Sequence, residues 1–360
     1  MSEPELQKLL SKAESGSLSA QQRIARAYAL GRTGNVNYEE AARWYRRGAD
    51  QGDPDSQTNL GVLYLLGRGV AHSDTEAVRW FQRGAATGYP MALHNLGIAY
   101  TNGWGVAKDG EHGFELLLRA ATSGLEVSQI AVALAYMKGD IAPSNPELGV
   151  KWAKRAARHG LASANFILGI IYENGQGVST DAKKAAEYYQ KAAEQGFAAA
   201  QNNLGSLYLQ GRGVRQDRRQ AMQLFSAAAE RGNEESYLNL ALCNLIGCAM
   251  VIDPTAAYSW YLSAQNSKTS IPQQFRKRFS VIGRELTEDQ LKSAQLSSQK
   301  WIAEHPVADP RSPVELNHAP GTAVAVNRNT NTLQNDEVLK TLWQPTQLAP
   351  ARLPSQGSVH

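Results

Sequence analysis

The chain of 360 residues carries few of the side-chain combinations that catalysis or metal binding requires. Its seven histidines are scattered, and no pair of them has the spacing, with carboxylates, that places metal ligands on one helical face. No Gly-x-Ser-x-Gly or comparable nucleophile motif occurs. The sequence therefore predicts a protein that is not an enzyme and that needs no metal ion or cofactor.

The two cysteines, Cys243 and Cys248, are separated by four residues. Without a second pair or nearby histidines they make a weak metal site, and small buried hydrophobic side chains are the favoured interpretation. So few cysteines are typical of a reducing compartment. The first residues, MSEPELQKLLSK, lack the basic segment and apolar core of a signal peptide. We therefore expect a cytoplasmic protein, and the absence of a long apolar run predicts no membrane span.

Gly-x-Gly occurs four times, in the sequences GRGV, GWGV, GQGV and GRGV. A nucleotide-binding glycine loop also needs a preceding strand, a third glycine and a following helix. None of that context is present, so turns between helices are the favoured interpretation of these glycines.

Glycine also recurs with a period of 36 residues, without insertion or deletion. A fixed period of this size is the signature of a repeat architecture. The recurring positions are Gly16, Gly52, Gly88, Gly124, Gly160, Gly196 and Gly232.

One period reads as helix, turn, helix. In residues 53–88, Leu60 and Tyr64 lie on one helical stripe, and Trp80 and Phe81 lie on another, with a glycine turn between them. Gly61 is expected to let the large side chain at the position of Trp80 approach closely. Good N-cap residues recur at the start of the second helix: Asn37, Ser73, Asp109, Asn145, Asp181, Asp217 and Asp253.

Stretches such as NLGVLYLLGRGV from Asn59 and AAEYYQKAAEQG from Ala185 resemble the SEL-one-like repeat, a relative of the tetratricopeptide repeat. The resemblance implies an all-α fold, a right-handed α-solenoid of about seven 36-residue helix–turn–helix units. It also implies a protein that binds other proteins, often as an adaptor in signalling or assembly. It does not imply catalysis.

The period divides the chain into four parts. Residues 1–16 form an N-terminal half-repeat, 17–268 the array, 269–305 two capping helices and 306–360 a tail rich in proline that is expected to be disordered. Leu339, Leu342 and Trp343 in the tail form a short amphipathic cluster. This cluster is either a chance grouping or a docking motif that folds on binding, with the chain's own groove as a possible target.

In relatives of this hairpin the first helix of each unit lines the concave side, so positions around the Leu-Gly pair predict a partner-binding groove. Two interpretations stay open: these side chains contact a partner, or the superhelical twist buries them between units. The asparagines among them bond either an extended peptide or a neighbouring repeat. The predicted groove residues are Asn59, His94, Asn95, Ile98, Ile130, Leu134, Phe166, Ile170, Asn203 and Asn239.

The function that this sequence predicts is a non-enzymatic adaptor that binds a protein or peptide partner in the groove. The alternative is a cell-envelope hydrolase, or a regulator of one, that acts on peptidoglycan-like substrates. It would need export and a clustered acid or nucleophile. The net charge is +4, from 37 Lys and Arg against 33 Asp and Glu, and the cations are spread over the second helices. That pattern indicates a solvated outer face and predicts no nucleic-acid partner.

Overall fold

A computed structural model describes residues 2–248, 251–267 and 270–305, and all the regular elements of these residues are α-helices. The predicted tail, with Leu339, Leu342 and Trp343, lies outside the described residues, so its disorder and docking stay predictions. The helices are α1 (Glu3–Glu14), α2 (Leu18–Ala29), α3 (Tyr38–Asp50), α4 (Pro54–Leu66), α5 (Asp74–Ala86), α6 (Pro90–Asn102), α7 (Gly110–Thr122), α8 (Glu126–Lys138), α9 (Pro146–Ala157), α10 (Ala162–Asn174), α11 (Ala182–Glu194), α12 (Ala198–Gln210), α13 (Arg218–Glu230), α14 (Glu235–Leu245), α15 (Pro254–Asn266), α16 (Gln273–Glu285) and α17 (Glu288–Glu304).

Seven antiparallel pairs, α2–α3 through α14–α15, form the repeat units, and α1 packs against α2 as a half-repeat. We call the even-numbered helices α2 to α14 the first helices and the odd-numbered helices α3 to α15 the second helices. Each second helix packs on its own first helix, and α3 through α13 also pack on the first helix of the next unit. First helices of adjacent units contact each other at α4–α6 and α12–α14. The first helices therefore lie side by side along one side of the array, and we call their solvent-facing positions the inner face.

The helix boundaries follow the periodic signals. Each of the seven predicted N-cap side chains accepts a hydrogen bond from the backbone N–H three residues later, as Asn37 does from Glu40. The periodic glycines that follow the second helices all have positive φ angles, from +78° at Gly196 to +98° at Gly124. Both signals are confirmed, because caps satisfy the free backbone groups at helix ends and only glycine enters the left-handed region without strain.

The glycine in the middle of four first helices, α4, α6, α10 and α12, admits a different side chain from the one expected. A Cβ on Gly61 would lie 2.6 Å from Cε1 of Phe81, and a Cβ on Gly205 would lie 2.7 Å from Cε1 of Phe225. Trp80 instead joins the buried cluster around Trp44. The expectation that the Trp80 position fills this space was wrong by one residue, which is a rotation of about 100° around a helix.

The second glycine of each Gly-x-Gly turn is a contact between units. A Cβ on Gly105 would lie 2.7 Å from the backbone nitrogen of Thr75 and would also meet the carbonyl of Asp74, in the first turn of the preceding second helix. Gly69, Gly177 and Gly213 make the equivalent contact.

In one unit the glycine of this contact lies in the helix and the larger residue lies in the turn. Ile141 occupies the position of the second glycine, and the preceding second helix begins with Gly110. A Cβ on Gly110 would lie 2.9 Å from Cγ2 of Ile141, so the missing side chain has moved to the other partner. This exchange keeps the stacking of the turns in the unit of α8 and α9, where Ile141 replaces the recurring glycine.

The end of the array is closed by α17. This helix packs on α15 where the first helix of an eighth unit would lie, whereas α16 contacts α15 less. Ser263 and Ser298 share a hydrogen bond of 3.0 Å between their hydroxyls, and the rings of Trp260 and Trp301 meet edge to face at 4.8 Å. Helix α17 therefore packs on the last unit out of chain order, and the assignment of residues 269–305 as capping helices stays a prediction.

The stacked turns predict a difference between two glycines that both have positive φ. Gly105→Ala should lower the free energy of unfolding by about 3 kcal/mol, because the methyl group strains φ and meets the Asp74 carbonyl. Gly88→Ala is the matched control: its φ is +81°, but nothing lies within 4 Å of an added Cβ, so the cost should be about 1 kcal/mol. Equal losses in urea denaturation would contradict the contact between units.

Candidate functional site

The structure buries most of the predicted groove. Ile98, Leu134 and Asn239 are half-buried, whereas the other seven residues are at most 7% exposed: Asn59, His94, Asn95, Ile130, Phe166, Ile170 and Asn203. Direct contact of a partner with the inner face therefore stays a prediction, and the three half-buried residues are the positions that offer surface for it.

Phe166 and Ile170 belong to the packing core of the central units. The ring of Phe166 lies 4.9 Å from that of Phe197 and 5.9 Å from that of Tyr189, and Ile170 is 1% exposed. The first helix α10 carries both, and it is covered by its own second helix α11 and by α9 of the preceding unit. Because two helices enclose it, its apolar positions do not mark a single buried stripe, and the sequence pattern could not separate core from groove.

The asparagines among the predicted groove residues make different hydrogen bonds. Asn59 Nδ2 donates to the carbonyl of Asp55 one turn earlier at 2.9 Å. Asn239 Nδ2 donates across the unit boundary to Asn202 Oδ1 at 2.8 Å. Among the described residues, the buried Nδ2 of Asn203 finds no acceptor with hydrogen-bond geometry. Asn239 thus bonds a neighbouring repeat, whereas the Asn59 bond stays within its own helix. The Asn203 donor is shut off from solvent beside Tyr189.

His94 links two units. Its Nδ1 lies 2.8 Å from the hydroxyl of Ser128 in the next first helix, and burial lowers the pKa of His94 to about 4. The imidazole is therefore neutral at physiological pH and has its bonding partner within the fold. Its position predicts a structural role that the spacing of histidines in the sequence did not reveal.

A polar cluster that the sequence reasoning missed lies between α10, α11 and the turn after α12. Glu173 accepts hydrogen bonds from the Tyr189 hydroxyl at 2.8 Å and from the Arg212 guanidinium at 3.1 Å. The Glu173 side chain is 9% exposed and that of Arg212 is 34% exposed. Burial, together with the Glu173 charge, raises the pKa of Tyr189 well above its usual value. The carboxylate of Glu173 is thus committed to joining two units.

The outer side carries a periodic row of cations, which we call the outer cation row. All five members are exposed, and none makes an ion pair within the part of the chain that the structure describes. The guanidinium carbon of Arg47 lies 4.6 Å from the centre of the Trp44 ring, and that of Arg83 lies 4.5 Å from the centre of the Trp80 ring. These stacks hold the cations flat on the surface. The row is Arg47, Arg83, Arg119, Arg155 and Lys191.

A surface cavity of about 580 Å³ lies beside this row, between α9 and α11. Lys154, Arg158 and Lys191 contribute positive charge to its lining, and Glu194 contributes one negative charge. Across residues 2–248, 251–267 and 270–305, no group of three or more His, Cys, Asp or Glu side chains is placed to hold a metal ion. In the same residues, no helix combines the length and the apolar character that crossing a bilayer requires.

Seven helix–turn–helix units stacked through neighbour contacts define an α-solenoid. The family model for the Sel1 repeat matches residues 18–53, 54–89, 90–125, 127–161, 162–197, 198–233 and 234–264. The chain belongs to the Sel1 repeat family, which confirms the resemblance seen in its sequence. Proteins of this family are generally scaffolds that mediate protein–protein interaction.

Solved structures support the same fold. A Sel1 repeat protein from Oxalobacter formigenes is 28% identical, with a TM-score of 0.60, over 76% of this chain and 79% of that chain. The protective antigen c5321 of uropathogenic Escherichia coli, which displays an SLR fold, is 26% identical, with a TM-score of 0.50, over 83% of this chain and 72% of that chain. A search of curated proteins finds no match.

The burial of His94 predicts a pH-dependent stability. Its pKa is about 4 in the folded chain and about 6.5 in an unfolded one, so the unfolded state binds more protons between these values. Stability should therefore fall as pH drops from 6.5 to 4, by up to about 3 kcal/mol from this residue. In urea titrations, the free energy of unfolding of the wild type minus that of His94→Gln should be constant above pH 7.5. At low pH this difference should fall, because only the wild type loses stability through His94. A difference independent of pH would contradict the burial.

The cluster at Glu173 predicts a second effect. Arg212→Met removes the cation from a carboxylate that is 9% exposed, and the free energy of unfolding should fall by about 2 kcal/mol. Lys292→Met breaks the exposed pair with Glu288 and is the matched control, with an expected change below about 0.5 kcal/mol. Equal effects in urea denaturation would show that Glu173 is solvated.

Proposed function

We propose that the chain is a non-enzymatic adaptor that holds a protein or peptide partner along its inner face. The observation that carries the proposal is the uninterrupted stack of seven units. Such a stack presents one long surface, along which successive units can each contribute a contact. Each position of the repeat recurs along the axis, so an extended partner can contact the same repeat position in successive units.

The partner contacts that we propose lie at one repeat position of the first helices. Ile98, Leu134 and Leu242 occupy this position in α6, α8 and α14, and all three are half-buried. The same position is buried in α4 and α10, at Val62 and Ile170, so the partly exposed apolar side chains lie at intervals along the face. Such side chains favour a partner that brings apolar side chains of its own.

The alternative, a hydrolase of peptidoglycan-like substrates or its regulator, needs an acid or nucleophile that faces a substrate. Glu173, the carboxylate of the buried cluster, already accepts hydrogen bonds from Tyr189 and Arg212. This commitment favours the adaptor. Release of soluble fragments from purified peptidoglycan by the wild-type chain would favour the hydrolase instead.

The test begins with a pull-down on the immobilised full chain and identification of the retained protein by mass spectrometry. With that protein in hand, the double variant Ile98→Ser and Leu134→Ser should weaken its binding at least about tenfold, because a few apolar anchors carry most binding energy. The matched control is Arg83→Gln with Arg155→Gln in the outer cation row, which should change the affinity less than about threefold.

Both double variants must keep the wild-type helicity and melting temperature, so that any loss of binding reports the surface and not the fold. The inner-face assignment is wrong if the Ile98 and Leu134 variant binds normally while the arginine variant does not. That outcome would move the partner to the outer cation row and indicate an acidic protein.

A further inference from the structure

The two cysteines of the chain meet at the end of the array. Cys243 lies in the last turn of α14, and Cys248 follows the glycine that ends this helix. Both are buried, at 0% and 4% exposure, and their Sγ atoms are 2.8 Å apart. Two sulfurs at this separation are closer than unbonded thiols ordinarily approach, although a disulfide bond would bring them to roughly 2.05 Å.

The backbone of the turn brings these side chains together. Cys248 N–H donates to the Cys243 carbonyl at 2.9 Å, and Gly247 between them has a φ of +69°. This is the hydrogen-bond pattern of a helix that ends on a left-handed glycine, in which the side chains at these two positions commonly touch. The contact between the cysteines therefore has a cause in the fold.

Other units show that the pattern belongs to the repeat. Arg68 N–H donates to the Leu63 carbonyl at 3.0 Å, and Arg212 N–H donates to the Leu207 carbonyl at 3.1 Å, at the equivalent positions. In these units the paired side chains cannot bond covalently. The seventh unit differs because cysteine occupies both positions.

We propose that Cys243 and Cys248 are a redox pair that forms an intrachain disulfide and closes the turn of the seventh unit. A zinc site is a poorer assignment, because the described residues place no third His, Cys, Asp or Glu ligand beside them. The bond would tie the end of α14 to the segment that leads into α15, the helix on which α17 packs.

The reaction balances with a disulfide-bearing oxidant, such as oxidised glutathione. The Cys248 thiolate attacks one sulfur of the oxidant and releases the first thiol, which takes up the Cys248 proton. Cys243 then loses its proton and attacks Cys248 Sγ in the mixed disulfide, releasing the second thiol. Two protein thiols and one disulfide become one protein disulfide and two thiols.

The environment assigns the order of attack. The hydrogen bond between the two thiols lowers the pKa of Cys248, whereas the same bond, together with burial, raises the pKa of Cys243. The group that more readily forms a thiolate is the first nucleophile, so Cys248 should react before Cys243.

The test uses the full chain, in which these are the only cysteines. Reduced and oxidised samples are equilibrated from both directions in glutathione buffers, quenched with acid, denatured, alkylated with N-ethylmaleimide and weighed by mass spectrometry. The native chain should lose two hydrogens and take up no label. Its oxidation constant should exceed that of the chain in 8 M urea by at least about tenfold, because the folded turn holds the thiols together. Cys243→Ser and Cys248→Ser, the matched controls, should lose no hydrogens and keep one thiol.

The oxidised chain should also melt at a higher temperature than the reduced chain, by about 5 °C. Two labelled thiols at every glutathione ratio would overturn the proposal. Disulfide-linked dimers, or equal oxidation constants in the native and denatured chains, would overturn it as well, because the turn would then give the pair no advantage.

Discussion

The architecture depends on the close approach of backbones at a few positions that tolerate no side chain. Gly61 admits Phe81 within a unit, Gly84 meets Ala92 of the next unit, and Gly105 meets the carbonyl of Asp74 in the preceding one. Each of these glycines lacks a Cβ at a point where two helices or turns must touch, so that the large apolar side chains beside it can be buried. A single helical pair could not bury this surface, and each unit is therefore stable only against its neighbours.

Much of this arrangement could be predicted from the sequence because it is local. The N-cap residues such as Asn37 and the glycines such as Gly160 each set the backbone within a few residues of themselves. They recur with the 36-residue period, and the structure confirms them. Contacts between units could not be predicted in the same way. Which side of α10 faces α9 depends on how units rotate along the axis, so Phe166 and Ile170 proved to be core residues. The partners Glu173 and Arg212 are 39 positions apart and occur in one unit pair, so no periodic signal marked them.

The same packing constrains function. Two helices enclose each first helix, so the inner face offers narrow rows of half-buried side chains, such as Ile98 and Leu134, and no wide apolar groove. The outer side offers the outer cation row, of which all members except Arg119 lie over Trp44 or an aromatic ring at the equivalent position. Two surfaces of different chemistry thus run along one stack, and the side chains of the proposed partner decide which of them it binds. The cysteine pair lies at the end of the stack, at the C-terminal end of the helix that also carries the proposed contact residue Leu242, and it can act on the stability of the last unit.

The central claim is that neighbour contacts alone hold the units together, and deletion of one unit tests it most directly. Removing residues 162–197 joins Leu161 to Ala198, and it places Ala200 where Ala164 had packed against α9, with small buried side chains at both positions. We predict a folded protein with the same helicity per residue and a lower free energy of unfolding in urea, reduced by about the share of one unit. An unfolded or aggregated chain after this deletion, or a stability unchanged from the wild type, would contradict the account.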